Sequence, residues 1–385
     1  MTTLVSQRAR EIKPFLVMEV LEAAQCLERN GVDVVHMEVG EPGFETPAPI
    51  RQAAITAMQA GETHYTHSRG VRRLRIAIAE WHRRKYRTEI DPDCVVVVSG
   101  TSPAMLLVFM ALCETGSEII IADPCYACYP QLITFAGGVP VTVRTTAQTG
   151  FHPDREAISR AITSRTRAVL INSPSNPCGT VIDPAELARL AELGLFVVSD
   201  EIYHGLVYGE RAHSIREYTD HSAVVNGFSK LYAMTGWRLG YLIAPPDVVR
   251  AVQKMQQNFF ISACHFAQTA AITALSEECD SYVQEMIDEY GRRRDLVIAG
   301  LERIGIAVAS EPRGAFYVFA DVRRHCERVK CSSYQLAFDI LNQAHVAVTP
   351  GSDFGPGGEG YLRLSYAAEY ERLEEGLQRL GKYFG

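Results

Sequence analysis

The chain has 385 residues, of which 47% are hydrophobic and 22% are charged, a composition that predicts about two globular domains. Its net charge of −7 argues against nucleic acid or an anionic membrane as the main partner. Charges interrupt the N-terminal sequence MTTLVSQRAREIKPF before an apolar segment can form, so we predict no secretory signal and expect a cytoplasmic protein.

The two ends of the chain predict one small α+β domain. Residues 11–48 are expected to form a helix, a strand at DVVHMEV (33–39) and a loop rich in Pro and Gly. From about residue 285 the sequence predicts a charged helix, strands at AFYVFAD (315–321) and YLRLSYA (361–367), and a closing helix. We therefore expect residues 49–284 to form a large domain, with 1–48 and 285–385 forming the small one.

One apolar stretch is as long as a membrane span. The twenty residues from Cys94 to Cys113 carry no charge, which is about the length that a bilayer requires. The sequence SGTSP (99–103) interrupts it, however, with a Gly turn before a helix that Pro can start. A buried strand, turn and helix is the better interpretation.

Seven short apolar runs predict the strands of the large domain. They lack the polar alternation of a sheet with one solvated face, which favours a mostly parallel α/β sheet covered by helices on both sides. The runs are VVVVS (95–99), EIIIAD (118–123), VPVTVR (139–144), AVLINS (168–173), LFVVSD (195–200), AVVNG (223–227) and YLIA (241–244).

Five of these strands run directly into polar clusters. In open parallel sheets, ligands bind beyond the carboxyl ends of the strands. Five clusters at one edge therefore predict one large site, whereas ordinary turns would explain any one of them singly. The clusters are SGTS (99–102), DPCYACY (123–129), NSPSNPCGT (172–180), SDEIYHG (199–205) and NGFSK (226–230).

Metal and disulfide chemistry are poorly supported. Among ten cysteines, only Cys125 and Cys128 have a suggestive spacing, and no second pair completes a zinc set. A redox role for that pair stays open, but reduced, unpaired cysteines are the preferred interpretation. His64, His67 and His204 lack a third ligand at metal spacing, so we expect no metal site.

The clusters could together bind a phosphorylated aromatic aldehyde. Gly100 permits close backbone approach at a helix start, which suits a phosphate, and Ser229 and Arg238 could complete a dianion site. A buried Asp200 needs a positive partner, such as a protonated ring nitrogen. Tyr126, Asn176 and Tyr203 offer an aromatic face and hydrogen bonds. 

Lys230 supplies the remaining group. It is the only charge between Ser222 and Trp237, in a chain with few lysines. An amine among apolar groups has a depressed pKa and can form an imine with an aldehyde. Phosphate, basic ring and aldehyde together describe pyridoxal phosphate.

Several sequence blocks resemble the signatures of one enzyme family. SPSNPCGT (173–180), SDEIYHGLVY (199–208), NGFSKLYAMTGWRLGY (226–241) and GEGYLRLSYA (358–367) are similar to those of class I/II aminotransferases, the aspartate-aminotransferase-like, fold type I enzymes that depend on pyridoxal phosphate. The resemblance runs from VGEPGFETP (39–47) to YLRLSYA (361–367) in the family's order.

The resemblance implies a role for each residue. Lys230 would bind the cofactor covalently and move protons, with Asp200 on the ring nitrogen, Asn176 and Tyr203 on the phenolic oxygen, and Tyr126 stacked on the ring. The phosphate would take Gly100, Thr101, Ser102, Ser229 and Arg238. Arg363 would clamp the substrate α-carboxylate with help from Gly40 and Asn176, and Tyr65 would reach the phosphate of the other subunit of a homodimer.

The substrate is less well defined. By resemblance, the segment IKPFLVMEV (12–20) lines the side-chain pocket, where Phe15, Leu16 and Val17 are apolar. Some relatives that act on aspartate have a lysine shortly after the phosphate-binding Gly, and GTSPAM (100–105) has none. We therefore expect a ping-pong aminotransferase for alanine or a larger apolar or aromatic amino acid, with 2-oxoglutarate as acceptor. Arg69 could still pair with a second carboxylate.

Three alternatives use the same scaffold. One is an aspartate aminotransferase, and another is a β-C–S lyase of the cystathionine type, since fold does not determine function. The third is the sensing domain of a transcriptional regulator, which would need an N-terminal DNA-binding domain, and the few residues before Glu11 leave no room for one.

Overall fold

A computed structural model of the chain describes residues 4–385, so the first three residues of the predicted small domain lie outside the described part. Helices and strands alternate through the middle of the chain, as the sequence predicted. The helices are α1 (Gln7–Glu11), α2 (Leu16–Arg29), α3 (Ala48–Gln59), α4 (Arg72–Tyr86), α5 (Thr101–Leu112), α6 (Cys128–Phe135), α7 (Arg155–Ala161), α8 (Pro184–Ala191), α9 (Pro246–Phe259), α10 (His265–Ala274), α11 (Asp280–Arg303), α12 (Arg323–Val329), α13 (Ser333–Ala344) and α14 (Tyr370–Phe384).

The strands fall into three sheets. They are β1 (Val35–His36), β2 (Val95–Val98), β3 (Glu118–Asp123), β4 (Val139–Arg144), β5 (Thr166–Asn172), β6 (Phe196–Asp200), β7 (Ser222–Gly227), β8 (Gly240–Ile243), β9 (Ala307–Val308), β10 (Tyr317–Asp321), β11 (Val346–Ala347), β12 (Thr349–Pro350) and β13 (Tyr361–Ser365). Short 3₁₀ helices at Pro92–Cys94, Ala147–Thr149, Ile215–Glu217, Glu277–Cys279, Gly351–Phe354 and Pro356–Gly358 connect these elements.

The central sheet has seven strands in the order β2-β8-β7-β6-β5-β3-β4. All neighbouring pairs are parallel except those of β8, which runs antiparallel to β2 and β7. The seven apolar runs form these strands, and β2, β7 and β8 are buried at every residue. The predicted fold type I α/β architecture is therefore confirmed.

The apolar stretch from Cys94 to Cys113 divides as predicted into a strand and a helix. Strand β2 ends at Val98 and α5 begins at Thr101, with Gly100 between them at a φ of 104°. Only glycine adopts that conformation readily, so it is Gly100 that turns the chain from sheet to helix. No helix within residues 4–385 is long and apolar enough to cross a membrane.

Segments from both ends of the chain form a second unit. A four-stranded antiparallel sheet has the order β12-β13-β10-β9, and β1 pairs in parallel with β11. The predicted strand at residues 33–39 is wrong in length, since only Val35 and His36 form a ladder. Met37 instead bridges two strands, because its N–H donates to the carbonyl of Ala347 and its carbonyl accepts from the N–H of Ser365.

Candidate active site

A cavity of about 220 Å³ lies beyond the carboxyl ends of the central strands. Residues from each of the five polar clusters line it. Of the predicted site residues, the lining contains Phe15, Gly40, Thr101, Ser102, Tyr126, Asn176, Asp200, Tyr203, Lys230 and Arg363. A larger groove of about 960 Å³ between α4 and α11 contains none of the predicted residues, so the smaller cavity is the candidate active site.

Lys230 follows β7, and its amine points across the cavity. Nζ donates a hydrogen bond of 2.5 Å to the carbonyl of Gly40 and lies 5.9 Å from the ring centre of Phe316. Burial lowers the pKa of Lys230 to about 8, and the nearby guanidinium groups of Arg363 and Arg238 act in the same direction. Because a neutral amine is the nucleophile, this environment suits imine formation.

Asp200 is the last residue of β6 and is buried. Its Oδ2 accepts a hydrogen bond of 2.6 Å from the hydroxyl of Tyr129, and Oδ1 accepts one of 3.1 Å from the N–H of Ile202. Burial raises the pKa of Asp200 to about 6, although both hydrogen bonds oppose that change. A buried carboxylate with only neutral donors is a good partner for a cationic ring nitrogen.

Arg363 lies on β13 and is only 2% exposed. Its Nη1 donates to Oδ1 of Asn176 at 2.9 Å, while Nη2 donates to the carbonyl of Glu38 and, at 3.1 Å, to the hydroxyl of Thr349. Its Nε is buried and has no hydrogen-bond partner among the described residues. The protein partners are neutral oxygens, so this guanidinium retains both charge and a donor for a carboxylate.

The start of α5 provides a site for an anion. Gly100 is its N-cap, no side chain caps the helix, and its first two residues, Thr101 and Ser102, line the cavity. The guanidinium of Arg238 lies against this turn, since a Cβ on Gly100 would lie 2.5 Å from Nη2 of that arginine. Ser229, directly before Lys230, is buried. N–H groups, helix dipole and guanidinium together suit a phosphate.

The N-terminal segment covers part of the cavity. Phe15 and Val17 line it as predicted, and the ring of Phe15 meets that of Tyr126 edge-on at 5.9 Å. The expectation for Leu16 is wrong, because α2 begins there, successive helical residues point about 100° apart, and Met18 lines the cavity instead. The carboxylate of Asp353 accepts the N–H groups of Leu16 and Val17 at 2.9 and 3.3 Å.

Tyr65 and Arg69 lie outside this cavity. Tyr65 is 80% exposed and is not among the residues that line the cavity. Arg69 pairs with Asp93 at 3.2 Å and also bonds its carbonyl at 2.9 Å, so it is held away from the substrate pocket. His204 is buried and contacts the hydroxyl of Tyr86 at 2.9 Å. Within residues 4–385, no group of three potential ligands could hold a metal ion.

The sequence reasoning missed two tyrosines that line the cavity. Tyr129 bonds Asp200, and its position three residues after Tyr126 at a helix start was a usable signal. Tyr317 lies on β10, and its hydroxyl is 2.7 Å from that of Tyr203. The other lining residues without a predicted role are Met18, Val39, Asn172 and Ile202.

The chain closely resembles known aminotransferases over nearly its whole length. The family model "Aminotransferase class I and II" matches residues 32–380. The (5-formylfuran-3-yl)methyl phosphate transaminase of Methanocaldococcus jannaschii is 39% identical over 99% of both chains. The aspartate/prephenate aminotransferase of Thermus thermophilus is 38% identical over 99% of both.

Solved structures agree with the sequence comparison. The aspartate aminotransferase of Thermus thermophilus, solved with maleate, superimposes with a TM-score of 0.94 at 37% identity, covering 99% of this chain and 100% of that one. The same family is thus found by sequence and by fold. The chain therefore belongs to the class I and II aminotransferases, fold type I enzymes that depend on pyridoxal phosphate.

Proposed function

We propose that this enzyme transfers the amino group of an L-amino acid with a neutral side chain, apolar or aromatic, to a 2-oxo acid such as 2-oxoglutarate. One observation carries the proposal. Lys230 and Arg363 are the only cations among the described residues that line the cavity. Lys230 is assigned to the cofactor and Arg363 to the α-carboxylate, so neither is left for a charged side chain of the substrate. Phe15, Val17 and Met18 supply an apolar wall, which favours a side chain without charge.

The donor groups of the cavity fit pyridoxal phosphate. When bound, this cofactor supplies an aldehyde that captures amines and a protonated ring that accepts the electron pair released at the substrate's Cα. Asp200 would hold the ring nitrogen, while Asn176 and Tyr203 would bond the phenolic oxygen and Tyr126 would stack on the ring. The phosphate would lie against Gly100, Thr101, Ser102, Ser229 and Arg238, where the uncapped helix start offers N–H groups.

Lys230 performs the proton transfers. Its neutral Nζ, favoured by the lowered pKa, would hold the cofactor and would be free to move protons once a substrate amine is bound. Nζ then takes the proton from the substrate's Cα and later returns one, which is general acid–base catalysis worth about 10²–10⁴-fold. Arg363 and the Gly40 amide fix the α-carboxylate, so Cα is presented to this amine in both half-reactions of a ping-pong cycle.

We also propose a homodimer in which Tyr65 serves the partner's site. The N–H of Thr66, the residue after Tyr65, donates to the hydroxyl of Ser262 at 3.2 Å, and Ser262 closely follows Phe259 and Phe260 in the sequence. The side chains of Tyr65, Phe259 and Phe260 are 80, 55 and 39% exposed, which supports the proposal that a second copy covers this part of the surface.

Mixed dimers test the exchange of Tyr65. A dimer of one Lys230→Ala and one Tyr65→Ala subunit contains one intact site if Tyr65 acts across the interface. It should therefore recover about half of the wild-type activity, although each parent is weak. No recovery in mixed dimers that were isolated by two different affinity tags, one on each subunit, would contradict the proposal.

Half-reactions test the substrate class. Each of the twenty amino acids is mixed with the holoenzyme, and conversion of the cofactor from its aldehyde to its amine form is followed by absorbance. We expect alanine or apolar and aromatic amino acids to react fastest. Reaction with aspartate alone would refute the preference for a neutral side chain, and pyruvate release from cystathionine without an oxo acid would indicate a lyase.

Aspartate is the second candidate substrate. It is favoured by the similarity to the Thermus thermophilus aspartate/prephenate aminotransferase. Its second carboxylate would need a cation from the partner subunit, because Ser102 occupies the helix start and Arg69 is bound to Asp93.

A further inference from the structure

Tyr317 occupies a central position in the cavity that neither the motifs nor the proposed roles explain. It is 1% exposed and lies on β10, in the four-stranded sheet. Its hydroxyl is 2.7 Å from that of Tyr203, and the Cζ atom of Arg363 lies 4.5 Å from its ring centre. One side chain thus contacts both the residue expected to bind the cofactor and the residue expected to bind the substrate.

The register of the sheet produces this arrangement. In the antiparallel pair of β10 and β13, Phe319 pairs with Arg363 and Tyr317 pairs with Ser365. Tyr317 and Arg363 are therefore diagonal neighbours on one face, close enough for a ring to support a long side chain. The guanidinium lies over the aromatic face, where the ring quadrupole attracts a cation.

The hydroxyl of Tyr317 also fits tightly at the floor of the cavity. A Cβ on Gly40 would lie 1.9 Å from it, so no other residue can replace Gly40 without displacing the tyrosine. The Arg363 cation lies over the ring of Tyr317, which favours Tyr317 as the hydrogen-bond donor, although the cation acts on Tyr203 in the same direction. Either hydroxyl can donate in this pair, and donation by Tyr317 would leave the proton of Tyr203 for another oxygen.

We propose that Tyr317 is a positioning residue that couples the carboxylate-binding Arg363 to the cofactor-binding Tyr203. The proposal rests on the proposed function of both partners. The hydroxyl acts on the cofactor side by orienting the proton of Tyr203. The ring acts on the substrate side by holding the guanidinium in one plane. These two actions belong to different atoms and can be separated by mutation.

Two variants and one control separate the action of the hydroxyl from the action of the ring in the holoenzyme. Tyr317→Phe removes the hydroxyl and keeps the ring, whereas Tyr317→Leu removes both. Tyr361→Phe is the matched control, because Tyr361 lies on β13, its ring stacks on Phe319 at 4.7 Å, and it does not line the cavity.

We expect Tyr317→Phe to lower kcat by about tenfold, the effect of one lost hydrogen bond, with KM within about threefold of wild type. It should also change the pH at which the absorption of the cofactor bound at Lys230 titrates, which a merely structural role would not do. Tyr317→Leu should in addition weaken binding of an unreactive 2-methyl amino acid by about tenfold or more.

The outcomes distinguish the two proposals. If Tyr317→Phe matches Tyr361→Phe in kcat and in the spectral titration, the coupling is refuted. It is also refuted if Tyr317→Phe weakens binding of the 2-methyl amino acid as much as Tyr317→Leu does. If Tyr317→Leu does not fold, Tyr317→Phe alone decides. A wild-type holoenzyme that reacts with no amino acid would instead refute the proposed function.

Discussion

Replacement of Arg363 by lysine tests the substrate-binding role most directly. Arg363→Lys keeps the charge but loses the planar fork that bonds Asn176, Glu38 and Thr349 while leaving Nε for a ligand. Loss of one charge-assisted hydrogen bond costs about 1.5–3 kcal/mol, and loss of stacking on the aromatic ring costs about 0.5–1 kcal/mol. The sum of about 2–4 kcal/mol corresponds to a decrease of about 30–1,000-fold in kcat/KM.

Two measurements identify the cause of this decrease. The half-reaction is compared for an amino acid and for the matching amine without the α-carboxylate, and only the amino acid should lose reactivity. Arg293→Lys is a matched control, because Arg293 is 6% exposed, donates to the carbonyl of Ala367 at 2.7 Å and lies 4.8 Å from the ring centre of Phe44, outside the cavity. Equal losses for amine and amino acid would show that Arg363 acts only in folding.

Three further predictions concern the remaining ionisable groups. Lys230→Ala should lose the visible absorption of the bound cofactor and nearly all turnover, and normal rates would refute the assignment. Tyr129→Phe should raise the pKa of Asp200, because it removes a donor to the ionised form, and should lower kcat by about tenfold; the loss should vanish in an Asp200→Asn background, as a double-mutant cycle would show. Glu38 raises the pKa of His36 to about 9 from 6.5. The contribution of the protonated His36 to the stability of the folded protein should therefore be complete below pH 6.5 and be lost as the pH rises through 9. Because His36 is 34% exposed, we expect only about 1–2 kcal/mol, measured as the difference in urea unfolding between wild type and His36→Gln at pH 6 and pH 10.

The central sheet and its functional edge could be predicted because each depends on local patterns. Two of the predicted strands, 118–123 and 139–144, match β3 and β4 at every residue. Strand β3 is almost entirely buried, as its apolar run predicts, whereas β4 lies at the edge of the sheet and is largely exposed or half-buried. Polar residues that directly follow such strands lie together wherever the strands are parallel, so no long-range information was needed to group Asn176, Asp200 and Lys230.

The residues contributed by the four-stranded sheet were harder to predict. The position of Tyr317 relative to Arg363 depends on the register between β10 and β13. These two strands are far apart in the sequence, because α12, α13, β11 and β12 lie between them. A shift of one residue would direct Tyr317 away from the cavity, and the sequence of AFYVFAD contains no signal for that register. Tyr129 was missed for a different reason, since the helix that directs it towards Asp200 begins inside the loop-like motif CYACY.

The hydrogen bonds of the cavity join two structural units. Lys230, Asn176 and Tyr203 follow strands of the central sheet, whereas their respective partners, the carbonyl of Gly40, the guanidinium of Arg363 and the hydroxyl of Tyr317, belong to the four-stranded sheet or to the segment packed against it.

Lys230, Asn176 and Tyr203 therefore each have a hydrogen-bond partner from the other unit, whereas Asp200 is held by Tyr129 and Ile202 of its own unit. Under the proposed roles, a carboxylate bound by Arg363 would act on the same guanidinium that bonds Asn176 and lies over Tyr317, so substrate binding would alter the restraints on the oxygens proposed to face the cofactor. This physical link explains why kcat, and not only KM, should respond to mutations on the substrate side of the cavity.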